Sequence, residues 1–305
     1  MFQLSGILNI NKPKGLTSHD VVARIRKLAK QRKVGHAGTL DPMATGVLLV
    51  CLGRATRVIE YMVPHRKQYQ ATIQFGVTTD TLDADGQIIA QQDPSALTET
   101  QLRQILPAFL GDIQQQPPVY AAIKKQGQPL YKLARAGQPV EADPRPVTIY
   151  ALDWLAWQPP NLTLDVTCSS GTYIRALARD LGQAAQTGAH LIELTRTASG
   201  DWPLDAAVSL ETLTAAVAQD ASAAWEKYLH PPDRAVTHLP ALHLTEAEAQ
   251  QVIYGRQLSV EADFPGHDVA RAYDPSGNFL ALLTRVQPDD KLWRPKKVFP
   301  PDILF

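Results

Sequence analysis

Residues 34–50 read VGHAGTLDPMATGVLLV and place a single carboxylate, Asp41, among small and turn-forming residues. Glycines in this segment permit backbone conformations that other residues avoid, and Pro42 fixes the torsion directly after the acid. The apolar run 47–52 predicts a buried strand that would anchor the loop to a core. An Asp before a proline is also a common cap of backbone amides, so the residues alone leave a structural and a catalytic interpretation open.

The chain has the composition of an ordinary globular protein, with 305 residues of which 45% are hydrophobic. That length predicts one large domain with a smaller companion. No apolar run is long enough to cross a bilayer and the N-terminus lacks the pattern of a secretion signal, so we expect a cytoplasmic protein with no membrane partner. Cys51 and Cys168 lie in apolar, strand-like segments, which predicts reduced, packed thiols rather than a disulfide or a zinc site.

The charged residues are unevenly distributed along the chain. The 30 basic and 30 acidic residues cancel overall, whereas residues 1–67 contain 12 Lys and Arg against 3 Asp and Glu. A local excess of cations beside the Asp41 loop is what a polyanion such as RNA requires, because phosphate contacts depend on local charge rather than on the overall pI. A solvated basic helix face explains the same pattern equally well.

Hydrophobic periodicity and turn residues predict an α+β fold. Strands are predicted at 6–10, 47–52, 67–76, 147–157, 162–168 and 190–197, and helices at about 18–29, 55–62, 99–110, 130–137, 173–182 and 210–217. From about residue 232 the pattern changes to short strands, such as 269–273 and 279–283, which predicts a small, mostly β domain. The expected domains are therefore 1–231 and 232–305.

Common signatures of cofactor and metal enzymes are absent from the sequence. It has no Gly-x-Gly, no Lys followed by Ser or Thr, no Gly-x-Ser-x-Gly, and no His followed two positions later by Glu. The acidic segment 79–86 resembles a calcium loop, but it lacks the later Glu and the flanking helices. We therefore expect no cofactor and no metal.

Two further residues, Tyr69 and Arg175, lie in predicted secondary structure and are candidates for the site. Tyr69 lies near the start of an alternating strand, and Arg175 lies in the first turn of a predicted helix together with Tyr173. A cation in that first turn is disfavoured by the helix dipole unless an anion is close, so Arg175 is expected to have an acidic partner.

Several short motifs follow one another along the first two thirds of the chain. They are Asn11-Lys12-Pro13-x-Gly15-x-Thr17-Ser18, the 35–48 stretch around Asp41, Lys67-x-Tyr69, Pro117-Pro118-x-Tyr120 and Gly171-Thr172-Tyr173-Ile174-Arg175. Together they resemble the TruB family, the bacterial tRNA pseudouridine-55 synthases. They occur in the family's order across residues 5–200, and a set of ordered motifs is more specific than one motif alone. The C-terminal portion resembles the family's small PUA-type RNA-binding domain.

This chain departs from the family pattern at a few positions. Ser170 stands where Lys is usual, Thr195 where Arg is common, and Ala121 where Ser is frequent. None of these changes removes a side chain with an expected catalytic role. The loss of two cations is expected to change the phosphate contacts.

The resemblance implies a pseudouridine synthase fold, with a mixed, mainly antiparallel central sheet flanked by helices and a PUA-like C-terminal domain. It implies isomerisation of a T-loop uridine of tRNA without a cofactor. Asp41 would act as nucleophile or base, Arg175 would keep the pKa of Asp41 low enough for it to stay ionised and would orient it, and Tyr69 would stack on the uracil or transfer a proton. Whether Asp41 attacks the sugar carbon or C6 of the uracil, or acts through an elimination, stays open.

The resemblance also implies supporting roles at the substrate site. His36 would occupy the space left by the flipped base or stack on a neighbouring base, Tyr173 and Leu194 would form the walls of the pocket, and Gly38 and Thr39 would contact the substrate. Lys12 and the basic helix would hold RNA phosphates. The expected partner is the T-stem-loop of tRNA, bound by a monomer that needs no other protein.

Three alternatives to that function remain open. An RNA-binding or tRNA-folding protein would make the Asp41 loop incidental to the biological role. A guide-RNA-directed pseudouridine synthase would need protein partners and a guide. A glycosidase would also use carboxylates but would release a free base.

Overall fold

The computed structural model describes residues 4–63, 66–121, 124–125, 128–129, 138, 140, 142–260, 264–287 and 291–299. The α-helices in these residues are α1 (Ser18–Leu28), α2 (Ile59–Met62), α3 (Glu99–Ile105), α4 (Ile174–Ala184), α5 (Leu210–Gln219), α6 (Ala221–Tyr228) and α7 (Glu246–Ile253). Short 3₁₀ helices lie at Gly53–Val58, Leu106–Phe109 and Pro232–Val236. The basic helix expected at 130–137 lies outside the described residues.

The strands alternate with these helices along the chain, as in an α+β protein. They are β1 (Gly6–Lys12), β2 (Val34–His36), β3 (Thr45–Leu52), β4 (Lys67–Phe75), β5 (Val77–Thr79), β6 (Ile88–Gln91), β7 (Gly111–Gln115), β8 (Lys124–Lys125), β9 (Gln128–Pro129), β10 (Arg145–Gln158), β11 (Asn161–Cys168), β12 (Ala189–Ser199), β13 (Trp202–Pro203), β14 (Val208–Ser209), β15 (Ala241–His243), β16 (Leu258–Ser259), β17 (Val269–Tyr273), β18 (Phe279–Arg285) and β19 (Leu292–Val298).

A ten-stranded sheet forms the centre of the larger domain. Its strand order is β14-β1-β3-β12-β4-β11-β10-β7, with β2 beside β3 and β13 beside β12. Two neighbouring pairs, β1 with β14 and β3 with β12, are parallel, and the others are antiparallel. The sheet is therefore mixed and mainly antiparallel, as expected.

The apolar strand β3 is buried on both faces of this sheet. Leu48, Val50 and Leu52 pack into one core, and Val47, Leu49 and Cys51 pack into a second core on the opposite face. Because successive side chains of a strand point to opposite faces, a strand covered on both sides needs a continuous apolar run. This explains why residues 47–52 show no alternation.

Strand β4 shows the alternation that β3 lacks. Its inward positions, from Lys67 and Tyr69 to Phe75, are buried, whereas Gln68 and Gln70 are exposed. Antiparallel pairing with β12 places Arg196 opposite Tyr69 and Ser199 opposite Lys67. Polar inward positions at one end of an otherwise apolar strand mark the place where the site forms.

The C-terminal part is a small, mostly β domain, as predicted. Its five strands have the order β15-β17-β18-β19-β16, and α7 packs against them through a core that includes Val252 and Trp293. The opposite side of this sheet contributes Tyr273, Phe279 and Leu282 to the core that also contains Val47 and Leu49 of β3. The boundary at 231 and 232 stays a prediction.

Two predicted helices are shorter than expected. The segment predicted at 55–62 is a 3₁₀ helix over Gly53–Val58 followed by the single turn α2. The helix predicted at 99–110 ends at Ile105 and continues as a 3₁₀ helix over Leu106–Phe109. Pro107 accounts for the second change because it lacks the N–H that an α-helix needs at that position.

No helix within the described ranges is both long enough and apolar enough to span a bilayer.

Candidate active site

The Asp41 loop connects β2 to β3, which pair antiparallel. Ser18, the first residue of α1, fixes its centre: the Ser18 Oγ accepts a hydrogen bond from Leu40 N at 2.9 Å and donates one to Leu40 O at 3.1 Å. Gly46 has a φ of +98°, and a Cβ at that position would collide with the carbonyl of Arg196. The loop therefore needs glycine where it enters β3 beside β12.

Arg175 forms an ion pair with Asp41 through two nitrogen atoms. Nη2 donates a hydrogen bond of 3.0 Å to Oδ1, and Nε lies 2.9 Å from Oδ2 at an ion-pair distance. Arg175 is the second residue of α4, where the sequence predicted that an acidic partner would be close. Its side chain is 5% exposed and that of Asp41 is 31% exposed, so the carboxylate faces the opening of the site.

Arg175 makes further contacts through its two terminal nitrogen atoms. Nη1 donates to Thr81 O at 3.0 Å and lies 3.3 Å from the Oδ2 of Asp83, and Nη2 donates to Tyr120 O at 3.1 Å. Asp83 is 4% exposed and accepts a hydrogen bond from the Thr81 hydroxyl. The guanidinium is therefore held by two carboxylates and two carbonyls, which leaves it little freedom to rotate.

Burial raises the pKa of Asp41 above its ordinary value. The charge and hydrogen bond of Arg175 act in the opposite direction, whereas the neighbouring Asp83 carboxylate raises the pKa further. Arg175 thus lowers the pKa of Asp41, as expected, but desolvation outweighs the guanidinium, so the net direction is upward. That Asp41 stays ionised remains a prediction. A carboxylate with a raised pKa is a stronger base and nucleophile once it is ionised.

A cavity of about 240 Å³ opens beside Asp41. Its lining brings together most of the residues predicted for the site: Gly38, Thr39, Asp41, Tyr69, Tyr173, Arg175 and Leu194. Tyr69 and Leu194 are 8% and 7% exposed, and together they form an apolar floor of the cavity. This arrangement can hold a small planar group against a carboxylate.

Lys67 and Arg196 also line the cavity, and the sequence-based interpretation gave them no role. Lys67 precedes Tyr69 by two positions and therefore shares its face of β4, and Arg196 shares the face of Leu194 on β12. That spacing is a signal present in the sequence. Asp83 has no comparable signal, since it lies in a separate turn that only the fold brings to Arg175.

Comparisons with known proteins agree with this geometry. Residues 26–174 match the model of the TruB family pseudouridylate synthase N-terminal domain, 175–237 that of the tRNA pseudouridylate synthase B C-terminal domain, and 239–300 that of tRNA pseudouridine synthase II, C terminal. The chain belongs to the TruB family. It is therefore an enzyme of the pseudouridine synthase class, as the motifs predicted.

Named relatives of the family are similar over most of their length. The tRNA pseudouridine synthase B of Pseudomonas aeruginosa (strain UCBPP-PA14) is 43% identical over 279 residues, which are 92% of this chain and 91% of the relative. That of Synechocystis sp. (strain ATCC 27184 / PCC 6803 / Kazusa) is 48% identical over 256 residues, covering 83% and 85%.

Two solved structures share the fold at lower identity. A chain of an H/ACA RNP bound to a substrate RNA containing 2'-deoxyuridine superposes with a TM-score of 0.74 at 26% identity, over 97% of this chain and 85% of that one. A chain of the archaeal box H/ACA sRNP Nop10-Cbf5 complex gives 0.74 at 27% identity, over 97% and 86%.

Lys12, in the N-terminal motif of this TruB family member, does not lie where a phosphate contact was expected. It is fully buried, and its Nζ donates to the carbonyls of Pro13, Leu16 and Pro42 at 2.9, 2.6 and 3.3 Å. Since all three donors are used, Lys12 fastens the N-terminal turn to the Asp41 loop instead of holding RNA. Burial lowers its pKa to about 8.

His36 lies at the end of β2, outside the lining of the cavity. Its ring meets that of His19 edge to face, with 5.4 Å between the ring centres. Burial and the nearby basic groups lower the pKa of His36 to about 4, so the imidazole is neutral at neutral pH. A role beside the flipped base stays a prediction.

Tyr173 caps α4 instead of lying within its first turn as predicted. Its backbone N–H donates to Gln115 Oε1 at 2.8 Å, and the Gln115 amide donates back to Tyr173 O at 3.1 Å. This pair fixes the entry to the helix that carries Arg175.

Among the residues described, no three His, Cys, Asp or Glu side chains are grouped so that they would hold a metal ion.

Proposed function

We propose that the protein isomerises the uridine at position 55, in the T-loop of tRNA, to pseudouridine. The observation that carries the proposal is the Asp41–Arg175 ion pair at the opening of a cavity whose floor is Tyr69 and Leu194. Family membership gives the reaction class. The names of the relatives, tRNA pseudouridine synthase B, supply the substrate class.

The reaction requires a positioned carboxylate and no redox partner. The C1′–N1 bond of the nucleotide breaks, the uracil turns within the cavity, and C5 forms a bond to C1′ while its proton is lost and N1 gains one. Product and substrate have the same atoms. Asp41 acts either on C1′ or on C6 of the uracil, and in both cases it must be ionised when it attacks.

Arg175 stabilises the ionised form of Asp41, because it contacts both carboxylate oxygen atoms. Because the guanidinium is also held by Asp83 and two carbonyls, it holds Asp41 in one orientation before the substrate arrives. A target base within a folded loop must first be flipped out, at a cost of a few kcal/mol. Stacking on Tyr69 offsets part of that cost.

The exposed cations of α1 and the segment after it are proposed to bind tRNA phosphates. The exposed residues are Arg24, Arg26, Lys27, Lys30, Arg32 and Lys33. Contacts between these side chains and phosphates add to the affinity for tRNA but do not distinguish one nucleotide sequence from another. A tRNA substrate also supports the proposal that the protein works in the cytoplasm.

We further propose that the enzyme acts alone as a monomer on free tRNA. The named tRNA pseudouridine synthase B relatives are 43% and 48% identical, whereas the chains from H/ACA particles are 26% and 27% identical. The difference favours direct recognition of tRNA over guidance by a second RNA.

The deciding experiment incubates the purified protein with an unmodified tRNA transcript and maps pseudouridine by position. We expect conversion at position 55 without added protein or guide RNA. Conversion elsewhere, with the T-loop unchanged, would refute the substrate while leaving the chemistry intact. Release of free uracil would instead indicate a glycosidase.

Variants at two acids separate enzyme from RNA-binding protein. Asp41→Asn removes the charge with little change in shape, so tRNA binding is expected to persist while product formation falls below detection. Asp85→Asn is the matched control, because Asp85 is an exposed acid in the turn that carries Asp83. Substantial turnover by Asp41→Asn would overturn the role of Asp41.

A further inference from the structure

Two buried cations line the cavity without a carboxylate to balance them. Lys67 is 5% exposed and Arg196 is 1% exposed, and both contribute to the cavity wall. In the part of the chain that the structure describes, neither forms an ion pair with Asp or Glu. Arg175, which lines the same cavity, has two such partners. The uncompensated charge is therefore that of Lys67 and Arg196.

The hydrogen bonds of these two side chains go to neutral oxygen atoms. Lys67 Nζ donates to Ser199 Oγ at 2.9 Å and to Met62 O at 3.4 Å. Arg196 Nε donates to Val47 O at 2.6 Å and Nη2 donates to Gly38 O at 3.1 Å. Neutral partners satisfy the donors but leave the two positive charges uncompensated, which is costly in a buried setting.

The sheet register places the two charges beside Tyr69. Lys67 and Tyr69 point to the same face of β4, and Arg196 lies directly opposite Tyr69 on β12. The guanidinium is close enough for its charge to lower the pKa of the Tyr69 phenol, although burial raises that pKa by more. Burial and the charge of Arg196 lower the pKa of Lys67 to about 8.

We propose that Lys67 and Arg196 stabilise the negative charge that develops on the uracil when it separates from the sugar. When the C1′–N1 bond breaks, its electron pair stays with N1, so the base becomes an anion and C1′ is left electron-poor beside Asp41. If Asp41 adds to C6 first, the displaced electron pair moves to O4 and the base is again an anion. The inference rests on the proposed function, and it holds for either route of attack.

Cations that are already in place in the buried wall of the cavity stabilise such an anion, because no side chain has to move when the charge develops. In this arrangement Asp41 provides the negative group for the electron-poor sugar carbon, and Lys67 and Arg196 provide the positive groups for the departing base. Arg175 differs from these two cations because its charge is already balanced by Asp41 and Asp83.

The test compares uridine with 5-fluorouridine at position 55 in single-turnover reactions of Lys67→Met. Fluorine makes the detached base a weaker base, so its anion needs less help from the protein. We expect the variant to lose about 100-fold in the rate of N-glycoside loss with uridine, and about tenfold with 5-fluorouridine. Equal losses with the two bases would overturn the inference. Weaker tRNA binding with an unchanged single-turnover rate would overturn it as well.

Lys12→Met is the matched control, because Lys12 is another buried lysine but lies outside the cavity lining. Any loss of rate in that variant is expected to be the same for both bases. If Lys67→Met does not fold, Lys67→Gln keeps a donor for Ser199 without the charge and carries the same comparison. Lys67→Arg keeps the charge and is expected to retain most of the rate with both bases. Failure of the wild-type protein to convert uridine at all would instead refute the proposed function.

Discussion

Arg175 joins the loop of Asp41 to a second carboxylate, since its Nη1 lies 3.3 Å from the Oδ2 of Asp83. Asp83 is 4% exposed and raises the pKa of Asp41 across the guanidinium. Its position is set by its own turn, in which the Thr79 hydroxyl donates to Asp83 O at 2.8 Å. Asp83, which does not line the cavity, thus orients the arginine that pairs with Asp41.

We expect Asp83→Asn to slow the single-turnover rate about 10- to 100-fold with little change in tRNA affinity. The amide still accepts one hydrogen bond but no longer fixes the guanidinium by charge, and small errors in orientation are costly for catalysis. Asp85→Asn is expected to match the wild-type rate. An Asp83→Asn enzyme with the wild-type rate would show that Asp41 alone suffices to orient Arg175.

Removal of Arg175 tests the balance of charge in the site. Arg175→Met leaves Asp41 and Asp83 facing each other without a cation, and we expect the free energy of unfolding to fall by about 3–5 kcal/mol at pH 7. The loss should shrink as the pH falls, because the Asp41 carboxyl, whose pKa burial raises, binds a proton more tightly in the folded state than in the unfolded chain. Chemical denaturation at pH 7 and pH 5 measures both effects. A loss that grows toward pH 5 would contradict this explanation.

The sequence predicts those features of the site that depend on residues close together in the chain. The strand β3 and the turn around Asp41 were predictable, because an apolar run and the order of glycines determine them directly. The alternation in β4 also placed Lys67 and Tyr69 on one face. Each of these features involves residues that are neighbours in the chain.

The contacts that the sequence left unpredicted involve distant segments or unusual burial. Asp83 reaches Arg175 because its turn forms a bridge to Leu191 of β12, and nothing near Asp83 in the sequence indicates this. Lys12 was misinterpreted because lysines are seldom fully buried, so a surface role was the natural expectation. Only the arrangement of three carbonyls around its Nζ shows that the side chain belongs to the interior.

His36 is expected to make the fold sensitive to acid. Its pKa falls from 6.5 to about 4 on folding because burial disfavours the charged ring. The unfolded chain therefore binds a proton between pH 6.5 and pH 4 that the folded protein does not, and this part of the stability is present above pH 6.5 and is lost as the pH falls through that window. By pH 4 the loss amounts to at most about 3 kcal/mol.

Denaturation of His36→Leu as a function of pH measures this contribution. We expect the wild-type protein to lose stability relative to the variant between pH 6.5 and pH 4. His267→Leu serves as the control, since His267 is exposed and should leave the acid profile unchanged. Parallel profiles for the wild-type protein and His36→Leu would rule out His36 as the source of the acid sensitivity.

The salt dependence of tRNA binding distinguishes the buried lysine from the exposed cations of α1. A residue that contacts a phosphate contributes about 0.7–0.9 to the slope of log K against log salt concentration. Because Lys12 uses its three donors on carbonyls, Lys12→Met should leave that slope unchanged and lower the free energy of unfolding by about 1–3 kcal/mol through the orphaned acceptors. Lys27→Met, at an exposed position of α1, should reduce the slope with little effect on stability. A reduced slope for Lys12→Met in a folded protein would instead mean that the lysine leaves its carbonyls and reaches the RNA.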